Sequence, residues 1–111
     1  MTTLLQRSET ERQARREALR LETRTALREA LGHLIPQTPV LLFGSLTRPG
    51  RFTEYSDVDL ALETEPPGLS IYQLASLLSE WLGRRVDVLL LSECRFRNKL
   101  IAQGELWTPP H

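Results

Sequence analysis

No glycine or proline interrupts the stretch from Ser8 to Leu31, and that continuity constrains the fold more than any other feature of the chain. Ala, Leu, Arg and Glu dominate it, all good helix formers. One long helix over residues 8–34 is therefore expected. Ser8 and Glu11 stand at capping-box spacing, and Gly32 and then Pro36 form its stop. Its apolar stripe is Leu19, Ala26, Leu27, Ala30, Leu31 and Leu34. Residues 8–18 carry no large apolar side chain. The reading thus separates residues 1–18, the polar first part of this helix projecting from the core, from residues 19–111, a single domain.

Beyond Gly32 the pattern shortens. Pro39 to Phe43 reads as a buried strand closed by Gly44 and Ser45. A polar loop with a Pro49-Gly50 turn follows. Asp57 to Glu63 then alternates, with Asp57, Asp59 and Ala61 on one side and Val58, Leu60 and Leu62 on the other, the period of a half-buried strand. Ser70 to Leu82 reads as a second helix with Ile71, Leu74, Leu77, Leu78 and Trp81 inward and Gly83 as its stop. Arg85 to Leu91 is a third strand. Ser92 is placed to cap a last helix from Glu93 to Gln103, and the tail from Glu105 is expected to add an edge strand. This order describes an α/β (α+β) domain with a small sheet and its helices packed on one face.

The chain has 111 residues, enough for one core. Its 14 basic and 14 acidic residues cancel, so no long-range field draws it to nucleic acid or an anionic membrane. From Arg7 to Glu29 seven Arg interleave with five Glu, the mark of a solvated helix face rather than a nucleic-acid arm. Cys94 is the sole cysteine, which excludes an internal disulfide and a cysteine-rich zinc site and reads as a quiet thiol. The apolar runs are too short to cross a bilayer, and the start has no signal-peptide core. A cytoplasmic location is the expectation. His33 reads as a helix-end residue, Trp81 as core, and Trp107 as a cover for the sheet edge or a contact with another chain.

Within this balance the shorter carboxylate is used unevenly. Eleven acids are Glu, spread over the chain, whereas the three Asp are Asp57, Asp59 and Asp87, all in strand-like runs. Two carboxylates two residues apart on a strand point the same way, with Cα atoms about 6.5–7 Å apart. They repel unless a cation lies between them, and such oxygen ligands suit Mg²⁺; a plain strand-end cap is the other reading. Gly44-Ser45 after a buried strand lets backbone N–H groups approach phosphate oxygens, or is an ordinary turn. Asp87, flanked by Val86 and Val88, faces away from the core if they face it; it either joins the Asp pair or is merely solvated.

Together these residues carry a resemblance. FGSLTRPGRFTEYSDVDLALE, then a helix, then GRRVDVLLL and KLIAQGELW, resembles the nucleotidyltransferase fold of the DNA polymerase β superfamily, and more closely the minimal nucleotidyltransferases (MNT). The resemblance runs from about Pro39 to the C-terminus. That family's pattern places a ten-residue spacer between Gly-Ser and Asp-x-Asp, whereas Leu46 to Ser56 here is eleven residues, with Pro49 as the extra one.

The resemblance implies a small mixed sheet, two Mg²⁺ ions and ATP as substrate. It makes Asp57 and Asp59 ligands of the metals and the triphosphate. Asp87 becomes a ligand near the attacking hydroxyl and a general base, and Gly44 and Ser45 hold the β/γ-phosphates. Arg48 or Arg51 would neutralise the pyrophosphate leaving group, against a solvated loop charge as the plainer role. Arg84 and Arg85 are read as phosphate or partner contacts, or as a salt-bridged strand start. The implied partner is a small all-helical HEPN-type toxin whose tyrosine accepts AMP. A catalytically silent MNT-like module that neutralises its partner by binding alone is the alternative. The presence of all three Asp favours activity.

Overall fold

The capping box that starts the first helix is not the one at Ser8. In the computed structural model, which describes residues 3–111, the Thr3 hydroxyl accepts from the Gln6 N–H and the Gln6 side chain accepts from the Thr3 N–H. Both N-terminal donors are satisfied one turn earlier than expected, and α1 runs from Leu4 to Leu34. Its residues 3–15 are exposed. From Arg20 onward a stripe of Arg20, Thr23, Leu27, Ala30 and Leu31 is buried.

The sheet contains β1 (Val40–Phe43), β2 (Val58–Leu62), β3 (Val86–Leu90) and β4 (Glu105–Trp107) in the order β3-β2-β1-β4. β1 is antiparallel to both β2 and β4, and β2 is parallel to β3, so the sheet is mixed. The parallel pair is joined by α2 (Ile71–Leu82). Ser70 caps this helix in a second capping box, and Gly83 ends it in the left-handed region at φ 67°, a conformation that costs glycine nothing.

The long helices share one face of the sheet. Leu27, Ala30 and Leu31 of α1 and Leu74 and Leu78 of α2 pack on Val40, Leu42, Val58, Leu60, Leu62, Val86 and Trp107. Trp81 stays outside this core at 45% exposure. Its ring leans on His33 of α1, with centroids 5.2 Å apart. The opposite face holds a smaller cluster of Leu41, Ala61 and Leu91, with Phe43, Leu89 and Leu100. Leu100 belongs to α3 (Arg97–Gln103). Ser92 does not cap α3. It lies within a 3₁₀ turn, Leu91–Glu93, and Cys94 follows in extended conformation, so the helix begins four residues later than its composition suggested. The tail does form the edge strand, with Leu106 opposite Leu41 and Trp107 opposite Val40.

Candidate active site

Period-two alternation turns three core contacts into two polar placements. Val58, Leu60 and Val86 point into the helix-covered core, so Asp59 and Asp87 project from the other face of the sheet. Asp59 and Asp87 are register partners on adjacent parallel strands, and Phe43 of β1 is the partner of Asp59 on its other side. Neighbouring strands are about 4.8 Å apart, so the two carboxylates are cross-strand neighbours. Asp57 is exposed, one residue before β2.

This crowding is visible in the chemistry. Burial holds the Asp59 carboxyl above the usual carboxylate range, and the negative charges of Asp87 and Asp57 push it further the same way. Arg85 opposes them; its Nε lies 3.1 Å from Asp87 Oδ1. Gly44 is part of the same arrangement. It ends β1 at φ 78°, and a Cβ there would lie 2.6 Å from Asp59 Oδ2. The carboxylate thus occupies the space that any other side chain would need.

From Gly44 the chain enters a 3₁₀ turn, Ser45–Thr47. Leu46 and, further on, Phe52 are fully buried and anchor the loop at two points. The eleven-residue spacer is accommodated in a closed turn: the Arg51 N–H donates to the Arg48 carbonyl at 3.2 Å, with Gly50 at φ 80°, so Pro49-Gly50 forms the tip. Gly44, Ser45, Arg48 and Arg51 line one cleft together with Thr47, Leu100 and Gln103. Its volume is about 480 Å³, within the range of small-molecule sites. The seven expected residues therefore fall in two groups, the cleft four and the three Asp, which touch where Asp59 meets Gly44.

Among the described residues no group of three or more His, Cys, Asp or Glu is gathered closely enough to hold a metal ion. The donor chemistry nevertheless fits a hard divalent cation: the donors are carboxylate oxygens alone, and Asp59 carries two like-charged neighbours against one cation.

Three arginines do work that the sequence reading did not assign. Arg20 Nη1 donates to the Leu46 carbonyl at 3.0 Å, and Arg24 reaches the same oxygen at 3.4 Å, so α1 grips the turn after Gly44. Arg84 Nη1 donates to the carbonyls of Ser56, at 2.7 Å, and Thr53, at 3.2 Å. The signal for Arg20 was its position on the buried stripe, three and seven residues before Thr23 and Leu27; nothing local marks Arg84.

The sequence profile described as "Nucleotidyltransferase domain" matches residues 24–106. The chain belongs to the nucleotidyltransferase domain family. A solved structure described as "Crystal structure of the toxin-antitoxin with AMP-PNP" is similar to this nucleotidyltransferase domain in fold. The TM-score is 0.58 at 24% identity, over 76% of this chain and 72% of that one. No curated protein matches the chain. The minimal-nucleotidyltransferase fold expected from Gly44-Ser45 and the three Asp is thus the fold of the domain, and in it those motifs lie at the sheet end where β1, β2 and β3 meet.

Proposed function

We propose that this chain is a Mg²⁺-dependent nucleotidyltransferase that moves AMP from ATP onto a tyrosine hydroxyl of a small all-helical HEPN-type toxin, acting as its cytoplasmic antitoxin. The observation that carries the reading is the contact between the two halves of the site. Asp59, beside Asp87, is pressed on Gly44, and from Gly44 the arginine-lined cleft opens. Family membership supports nucleotidyl transfer in general. The fold neighbour, described as a toxin–antitoxin with AMP-PNP, supports the adenine nucleotide and the kind of partner.

In this reading Gly44 and Ser45 receive phosphate oxygens, and Arg48 and Arg51 pair with the phosphates of the leaving group. Asp57, Asp59 and Asp87 would hold the metal, which when bound supplies charge neutralisation between the attacking and leaving oxygens. Asp87 accepts the proton of the acceptor hydroxyl. That oxygen bonds to the α-phosphorus as the bond to the β-phosphate oxygen breaks, and pyrophosphate leaves. Positioning and charge account for most of such catalysis.

The alternative, a silent module, is favoured by one observation: Asp87 is paired with Arg85. One experiment separates the two. The chain is incubated with Mg²⁺, radiolabelled ATP and the protein encoded by the adjacent reading frame. Labelling of that protein by wild type, and none by Asp57→Ala, is the expected result. Tight association without labelling makes the module silent.

A further inference from the structure

The Arg84-Arg85 pair preceding β3 has no part in the reading above beyond the Arg85–Asp87 ion pair, yet it meets the loop that delivers Asp57. Asp57 is exposed and lies just outside β2, so its backbone, not a packed side chain, sets its place. The peptide before it is held by Arg84, whose guanidinium donates to the Ser56 carbonyl at 2.7 Å and to the Thr53 carbonyl at 3.2 Å. The peptide after it is held by β3, the Val58 N–H donating to the Arg85 carbonyl at 3.0 Å. Arg84 is itself fixed: its guanidinium lies 4.6 Å over the ring of Phe52, which is fully buried. The loop between closes on itself, with the Ser56 N–H on the Thr53 carbonyl at 3.0 Å and the Thr53 N–H on Ser56 Oγ at 2.9 Å. Both bonds leave from one nitrogen, Nη1, so what Arg supplies and Lys supplies only in part is a flat cation that stacks on the Phe52 face while it donates.

We propose that Arg84 is the positioning residue for Asp57, a brace from the segment just before β3 that fixes the Thr53–Ser56 turn and thereby the direction of the first carboxylate of the Asp-x-Asp pair. The consequence for metal rests on the proposed function; the brace itself does not. Partners that orient a ligand without touching the metal typically contribute 10–100-fold to its affinity.

The test uses the full chain as wild type, Arg84→Met and Arg84→Lys. Met keeps an apolar cover on Phe52 and removes the Nη1 donor; Lys restores a donor without the stacking plane. Amide ¹⁵N relaxation without metal is expected to show residues 53–57 losing order in Arg84→Met and partly regaining it in Arg84→Lys, while β1 and α2 stay unchanged. Calorimetry with Mn²⁺ and ATP is expected to show roughly tenfold weaker metal-dependent binding in Arg84→Met, with metal-free ATP binding unaltered. Unchanged order at residues 53–57 overturns the brace. So does a loss of metal-free ATP binding equal to the metal-dependent loss, which marks general damage. If wild type binds no Mn²⁺–ATP, the proposed function fails while the relaxation data still decide the brace.

Discussion

At the residue scale, the site is a carboxylate placed where a side chain would otherwise be. Gly44 combines positive φ with an Asp59 oxygen in its Cβ position, so Gly44→Ala carries both backbone strain and a clash. We expect a loss of about 1–3 kcal/mol in urea unfolding, together with weakened Mg²⁺–ATP binding as Asp59 is displaced. Wild-type values for both would show that Asp59 does not need the vacancy. Asp59 has the opposite relation to stability. Its folded pKa is raised by burial and by Asp87 and Asp57, so the folded state holds its proton more tightly than the unfolded one. The resulting penalty is full above the folded pKa, shrinks as pH falls between the two values, and is gone below the unfolded one. Asp59→Asn is therefore expected to raise the Tm of the metal-free protein at pH 7 by a few degrees while abolishing metal-dependent nucleotide binding. A lower Tm at pH 7 would contradict it. Glu105 acts in the other direction. Arg24 and then the Trp107 N–H hold its carboxyl below the usual range against burial, so its contribution is present above the unfolded pKa and lost on acidification through the folded one. Without Asp59 to offset it, Asp59→Asn should lose stability with acid more steeply than wild type until the pH reaches the unfolded Asp value of about 3.9, and in parallel with it below, as measured by thermal melts across pH.

At the scale of elements, β4 is a three-residue strand paired along its whole length with β1 and clasped from α1 by two arginines. Arg24 of α1 makes a two-pronged ion pair with Glu105, and the guanidiniums of Arg24 and Arg28 lie 5.3 and 4.1 Å from the Trp107 ring. Because Arg24 also reaches the Leu46 carbonyl, Arg24→Ala is expected to cost about 2 kcal/mol in urea unfolding and to raise amide exchange first in β4. The three sheet runs, α2 and the edge strand were legible because Val58, Leu60 and Leu62 alternate and Ser70 and Gly83 punctuate. The faces of Asp59 and Asp87 followed from the same alternation. What was not legible depends on partners distant in the chain. The first cap is the exception, a local choice between two equal spacings: Thr3 with Gln6 forms the box, and Ser8 with Glu11 does not start the helix. Trp81 fits the stripe but meets His33 at the rim instead of the core. The Ser92 cap gave way to a 3₁₀ turn that buries Leu91 against Leu41 and Ala61. The cleft shared by Gly44 and Gln103 joins residues far apart in sequence, which no local pattern encodes.

At the scale of the whole molecule, the face covered by α1 and α2 holds the larger core, and the face that carries only the short α3 and its small cluster holds the carboxylates. The molecule is elongated, 56 × 28 × 22 Å, and the exposed residues 3–15 of α1 contribute to neither face. Removing residues 1–14 is expected to change the unfolding free energy by no more than about 1 kcal/mol, while sedimentation reports a more compact particle. A large loss would show that this segment is part of the folding unit. The separation of the two faces has a further meaning. The side chains that give the domain its shape and those that give it chemistry lie on opposite sides of one sheet, so the chemistry can be erased without loosening the fold. For Asp59, erasing it relieves a burden that the chain now carries. A half-buried, crowded acid beside a glycine with no room for another side chain is a cost that folding alone does not ask of the chain.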